Sequence, residues 1–167
     1  MLTDTLCTRC GLCCDGTLFG DVELTGRAEA ARLEVLGLDV DDDDADTELL
    51  GLPCAALRET RCRIYPHRPQ CCRTFECRLL QHAQRGTVAE VQALAHIAEA
   101  RAQVRRVHTL LAGMESRPQR LPLRERCANA LAAASGSSPE ATRARAALDD
   151  ATAVLARTIR TTFLDGE

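Results

Sequence analysis

Apolar side chains are spaced in two different ways along this chain. From residue 87 onward they recur every three or four positions, the period of a helix with one buried face. Thr87-Val88-Ala89-Glu90 has the order of a capping box and opens a long helix. Val88, Val91, Ala95, Ala98, Ala102, Val107 and Leu111 give that helix an apolar stripe, which ends before Gly113. Arg117-Pro118 to Pro122 reads as a connection, and Leu123 to Ala134 as the next helix. Ser138 then caps a last helix with Pro139 at its first position. Leu148, Ala151, Leu155, Ile159 and Phe163 space its inner face. No chemical motif interrupts this half, so it reads as scaffold.

The first half lacks that regularity. Gly11, Gly16 and Gly20 stand among cysteines, and residues 1–20 read as a loop wrapped around ligands. A short helix follows, with Thr25 as its cap, Ala30, Leu33 and Leu36 on its inner side and Gly37 as its stop. Asp39, Asp41, Asp42, Asp43, Asp44, Asp46 and Glu48 crowd one segment without an ordered ligand spacing. That segment reads as a solvated loop with no specific cation. A further helix is expected from Gln70 to Arg85, stopped by Gly86. The whole is mainly α: a loop-rich cysteine lobe over residues 1–86, then a helical extension over 87–167 that packs on it.

Composition narrows the function. The net charge is −3, and the only aromatics are three Phe and one Tyr. Neither an electrostatic trap for nucleic acid nor a base-stacking platform is expected. No stretch nears the roughly 18 apolar residues of a membrane span. The N-terminus has no basic region followed by an apolar one, so the expected place is the cytoplasm, where thiols stay reduced.

Ten cysteines in a reduced compartment call for something other than disulfides. Nine lie between Cys7 and Cys77, and the rest of the chain holds only Cys127, which reads as a lone buried residue on an Ala-rich helix. Cys7-x-x-Cys10-x-x-Cys13-Cys14 has the step that lets a tight turn aim two sulfurs at one metal, used by zinc ribbons and iron–sulfur loops. Neighbouring side chains tend to diverge, so the pair Cys13-Cys14 points to two metals or one polynuclear centre. Cys54, Cys62, Cys71, Cys72 and Cys77 form a second, looser group. Together the groups supply enough thiols for two sites of four. Arg58, Arg61, Arg63, Arg68, Arg73 and Arg78 could offset the charge of such sites. His67 sits in a stiff Pro-flanked connection, with a ligand or proton-shuttle role as the lesser alternative, and His82, His96 and His108 read as surface or packing residues.

At these residues the chain resembles the zinc- or iron-chelating cysteine-cluster family, often called YkgJ-like, whose mark is CxxCxxCC. The first block matches Cys7 through Cys14, including Gly11. The second matches Pro53-Cys54, Cys62-Arg63-Ile64-Tyr65, Arg68-Pro69, Cys72-Arg73 and Phe75-Glu76-Cys77. The resemblance covers roughly residues 5–85. It implies that Cys7, Cys10, Cys13, Cys14, Cys54, Cys62, Cys72 and Cys77 are the metal ligands, with Cys71 outside the pattern. It implies zinc or iron, an iron–sulfur cluster included, and neither the identity of the metal nor a reaction. Three functions stay open: a structural metal module presenting a surface to a protein partner, a redox or catalytic iron site, and a metal buffer or delivery protein. No catalytic residue is identified, and no nucleotide-binding glycine loop or catalytic triad order appears.

Overall fold

The computed structural model describes residues 2–44, 47–114, 120–133 and 138–164, with the backbone alone for 42–44. The architecture is mainly α. Helix α1 (Leu2–Cys10) comes first, where a loop was expected. Leu2, Leu6 and Cys10 recur every four residues, Asp4 and Arg9 suit the two helix ends, and the first left-handed glycine is Gly11, just beyond. Leu6 and Cys10 are buried.

Strand β1 (Asp21–Glu23) precedes α2 (Arg27–Val35). The cap falls one residue later than expected, on Gly26, because Thr25 is engaged otherwise: its N–H and Oγ1 both donate to Glu29 Oε2 at 2.9 Å. Ala30 and Leu33 are buried as expected, but Leu36 is exposed, and Gly37 turns the chain at φ 82°. The acidic segment is not simply a loop. Asp41–Asp44 forms β2, antiparallel to β3 (Thr47–Gly51), and β1 pairs with the other side of β3, giving the order β1-β3-β2. Leu50 of β3 is buried, so its strand has a core to cover, and a charged strand is a suitable edge. Asp46 lies outside the described residues. Replacing Asp42, Asp43 and Asp44 with Asn should leave metal stoichiometry unchanged and the melting temperature within a few degrees. A calcium-dependent rise in melting temperature that those changes abolish would contradict this.

Strands β4 (Leu57–Arg58) and β5 (Arg61–Cys62) make a small hairpin, and a 3-10 turn spans Tyr65–His67. The expected helix over 70–85 is broken in two, α3 (Gln70–Thr74) and α4 (Arg78–Gln84). Phe75 and Cys77 take extended backbone between them. The break lets Phe75 meet Phe19 edge-on at 5.0 Å between centroids and sets Cys77 at the start of α4.

Helix α5 (Glu90–Ala112) is the long central helix. Its start differs from the expected box: Thr87 Oγ1 is held by His82, and the Gln92 side chain accepts from Ala89 N–H at 3.1 Å. The buried face also differs. Ala93, Ile97, Ala100, Val104, Val107 and Leu111 are inside, so only Val107 and Leu111 of the expected stripe are buried. Val88 packs partly against the core, whereas Val91, Ala95, Ala98 and Ala102 are exposed. In an Ala-rich helix several faces carry apolar residues, and Ile97 and Val104 set the true one. Helix α6 (Leu123–Ala133) follows. The expected connection lies outside the described residues over 117–119, as do Ala134 and residues 135–137. Helix α7 (Pro139–Thr158) starts as expected, with Ser138 Oγ accepting from Ala141 N–H at 3.1 Å. A π turn, Ile159–Phe163, completes it, and all five expected inner residues are buried.

Two apolar clusters result. The larger joins α1, α4, α5, α6 and α7 around Leu12, Leu111, Leu148 and Phe163, so it crosses position 86. The smaller holds Leu24, Ala30, Leu33, Leu38, Leu50 and Ala56 beneath α2 and the sheet. No helix among the described residues is long and apolar enough to cross a membrane.

Candidate metal centre

Between the two clusters lies a cavity of about 410 Å³. Nine cysteines line it: Cys7, Cys10, Cys13, Cys14, Cys54, Cys62, Cys71, Cys72 and Cys77. Cys127 does not; it is 2 % exposed on α6, within the helical core. None of the ten forms a disulfide.

Local folding explains the gathering. Cys7 and Cys10 are three residues apart on α1, hence on one side of the helix. Gly11, at φ 72°, then turns the chain, and Gly11 O accepts from the N–H groups of Cys14 and Asp15 at 3.0 Å. The turn favours glycine, since its left-handed backbone strains other residues and a Cβ on Gly11 would lie a tight 3.1 Å from Thr60 Cα. Thr60 Oγ1 donates to Thr8 O at 2.6 Å, and Cys54 N–H donates to Cys14 O at 2.8 Å, tying the second cysteine block to the first. Arg101 of α5 donates to Cys10 O at 2.8 Å.

Burial dominates the chemistry of the thiols. It pushes Cys7 up from 9.0 to about 11, and Cys10 and Cys14 to about 12; Cys13 and Cys72 are pushed higher still. Cys54, Cys71 and Cys77 are raised for the same reason. Backbone N–H groups of Ala56 and Leu57 oppose the rise at Cys54, and those of Leu80 and Leu79 oppose it at Cys77.

After burial, like charge from neighbouring sulfurs is the main raising influence on Cys7, Cys10, Cys13, Cys14 and Cys72. Cys71 is raised instead by Glu29, and Cys77 by Glu76. Cys7 is affected by Cys77, Cys10 by Cys77 and Cys7, and Cys13 by Cys10, Cys14, Cys77 and Cys7. Cys14 is instead affected by Cys54 and Cys62, and Cys72 by Cys71, Cys14 and Cys54. Cys14 also raises Cys13, so the two groups of sulfurs adjoin at this pair.

Of the six arginines expected to offset thiolate charge, Arg68 and Arg73 line the cavity. Arg68 lowers both Cys7 and Cys14. Its guanidinium lies 3.7 Å from the centroid of the Tyr65 ring and donates to Tyr65 O and Cys72 O. Arg58, Arg61, Arg63 and Arg78 are not among the lining residues. Arg68→Met should move the pH midpoint of metal uptake upward, because two thiols lose the cation that favours their ionised form. Zinc titrations at a series of pH values check this; an unchanged midpoint would remove Arg68 from the account.

His67 is exposed and does not line the cavity; it lies on an adjoining groove with Arg32, Val35 and Leu36. His82 Nδ1 pairs with Thr87 Oγ1 at 2.8 Å, His108 pairs with Arg126, and His96 is exposed. Sequence reasoning missed Glu29, Thr60 and Arg101, which hold the cysteine segments through side-chain bonds to distant backbone. Only the four-residue step from Thr25 to Glu29 carried any signal.

Among the described residues no three Cys, His, Asp or Glu side chains are already gathered so as to hold a metal ion. The thiols ring the cavity rather than meet at a point. Their chemistry fits zinc or iron nonetheless, since buried, soft sulfur donors in this number suit those metals.

A cavity ringed by thiols between two apolar clusters defines a cysteine-cluster metal-binding domain. The chain belongs to the CxxCxxCC family, described as "Putative zinc- or iron-chelating domain", which matches residues 6–103. The match runs beyond the cysteines into α5. No curated protein and no solved structure matches the chain.

Proposed function

We propose that this protein is a metal-binding module with two four-thiolate centres, one formed by Cys7, Cys10, Cys13 and Cys77, the other by Cys14, Cys54, Cys62 and Cys72. The observation that supports it best is the packing of the cysteines: Cys7, Cys10 and Cys77 sit against the larger apolar cluster and Cys54 and Cys62 against the smaller, with Cys14 tied to Cys54 through its backbone. Cys71 is the spare thiol. Each centre draws on both cysteine blocks, so metal knits α1 to the α2–α3 region and stiffens a surface for a protein partner. The decisive test is anaerobic purification with metal analysis and an absorption spectrum. Two zinc ions per chain and no visible bands support the structural module; one metal or none overturns the two-centre reading.

A second reading has its own support. All four aromatics of the chain, Phe19, Tyr65, Phe75 and Phe163, line the thiol cavity, with Leu18, Leu79 and Ile97 among its other apolar walls. Such a chamber suits an iron or iron–sulfur centre that transfers electrons or meets an apolar substrate away from water. Brown protein with charge-transfer bands in the same experiment selects this reading.

A further inference from the structure

The one buried charged side chain among the described residues is Glu29, 6 % exposed. It stands on α2, away from the cysteines in sequence, and it does not line the thiol cavity. Its carboxylate is fully used. Oε2 accepts from Thr25 N–H and Oγ1–H, and Oε1 accepts from Gln70 N–H at 2.8 Å. Arg32 lies at the outer edge of the group, 3.8 Å from Oε1 and largely exposed. Gln70 is the first residue of α3, whose next two residues are Cys71 and Cys72. A single carboxylate thus fixes the entry of the helix that carries a proposed ligand to the start of α2.

We propose that Glu29 is the positioning residue of the second centre, holding Cys72 in register with Cys14, Cys54 and Cys62. This rests on the two-centre reading above. The bond reaches across 41 residues and ties the first turn of α3 directly to α2. Both partners are backbone or carboxylate, so the link has little freedom. A carboxylate of this kind acts on the metal as outer-shell partners do, by orienting a ligand rather than by touching the ion. Glu29→Gln keeps the size but replaces one acceptor oxygen with an NH₂, which must face an N–H donor on one side or the other. The first centre takes no ligand from α3, so loss of the bond should bear on the second centre.

The test uses the whole chain loaded with cobalt(II), whose thiolate charge-transfer bands report each centre as a chelator removes the ion. In the wild type two ions are released. In Glu29→Gln, one ion should leave about ten- to a hundredfold faster while the other keeps its rate. Added to Cys10→Ser, which leaves the second centre, Glu29→Gln should accelerate the remaining ion; added to Cys54→Ser, it should not. Should Glu29→Gln fail to fold, Gln70→Pro removes the donor at a first helical position, where proline is tolerated, and should give the same selective release. Equal acceleration of both ions, or of neither, overturns the positioning role while the two centres stand. A wild type that releases a single ion overturns both.

Discussion

Protein carrying Cys10→Ser should purify with one metal centre missing and the other intact, and protein carrying Cys54→Ser should show the converse. Each substitution takes one thiolate from a different neighbourhood, and a hydroxyl is a poor ligand for a soft or borderline metal. Cys13→Ser should fall with Cys10→Ser, and Cys14→Ser with Cys54→Ser, although the two residues are adjacent. Cys127→Ser should leave metal content unchanged, because that thiol lies in the helical core. Metal analysis of the five variants, with two ions in the wild type as reference, is sufficient. Loss of both ions from every cavity cysteine variant would show one polynuclear centre instead of two.

Metal removal should have an equally large and uneven effect. The smaller apolar cluster has six buried residues, two of them alanine, and Cys54 and Cys62 pack against it. So little apolar area cannot order a region alone, and metal-binding free energy becomes its folding free energy. Under chelator and reductant, backbone amides of 21–74 should exchange fast while α5 and α7 stay protected. Helix α1 should stay with them, since Leu6 and Cys10 belong to the helical cluster. The metal-free protein should also be alkali-labile. Buried thiols have folded values above the ordinary 9.0, Cys7 at about 11 and Cys10 at about 12. Stability from keeping them protonated is complete below pH 9 and is lost as pH climbs through about 11 and 12. Metal-loaded protein, whose sulfurs are already ionised, should lack that loss. Thermal melts of both forms from pH 7 to 11 decide it.

The cysteine spacing made the chemistry legible because ligands are read residue by residue. The last helix was legible for a similar reason: Ser138-Pro139 and five well-spaced large side chains leave one solution. Helix α5 was less so, since alanines on several faces make its burial depend on which face α1 and α7 cover. Helix α1 was hidden by the motif itself. Cysteines and a nearby glycine suggest a loop, whereas the glycine only ends the helix. The break between α3 and α4 has no local cause in proline or glycine; it follows from contacts of Phe75 and Cys77 with partners far along the chain. The link from Glu29 to α3 was unreadable because that partner is a backbone N–H 41 residues away.

Each proposed centre mixes sulfurs from both ends of the cysteine region, and this sets a timetable for synthesis. A ribosome adds roughly 5–20 residues per second, so Cys7, Cys10 and Cys13 would wait on the order of ten seconds before Cys77 exists. During that interval two thiols on a nascent helix and a third just beyond it form an open trap for whatever metal the cell offers. The other centre would be complete at Cys72, before the first could close. The metal found in the mature protein would then depend on the supply at that moment as well as on affinity at equilibrium.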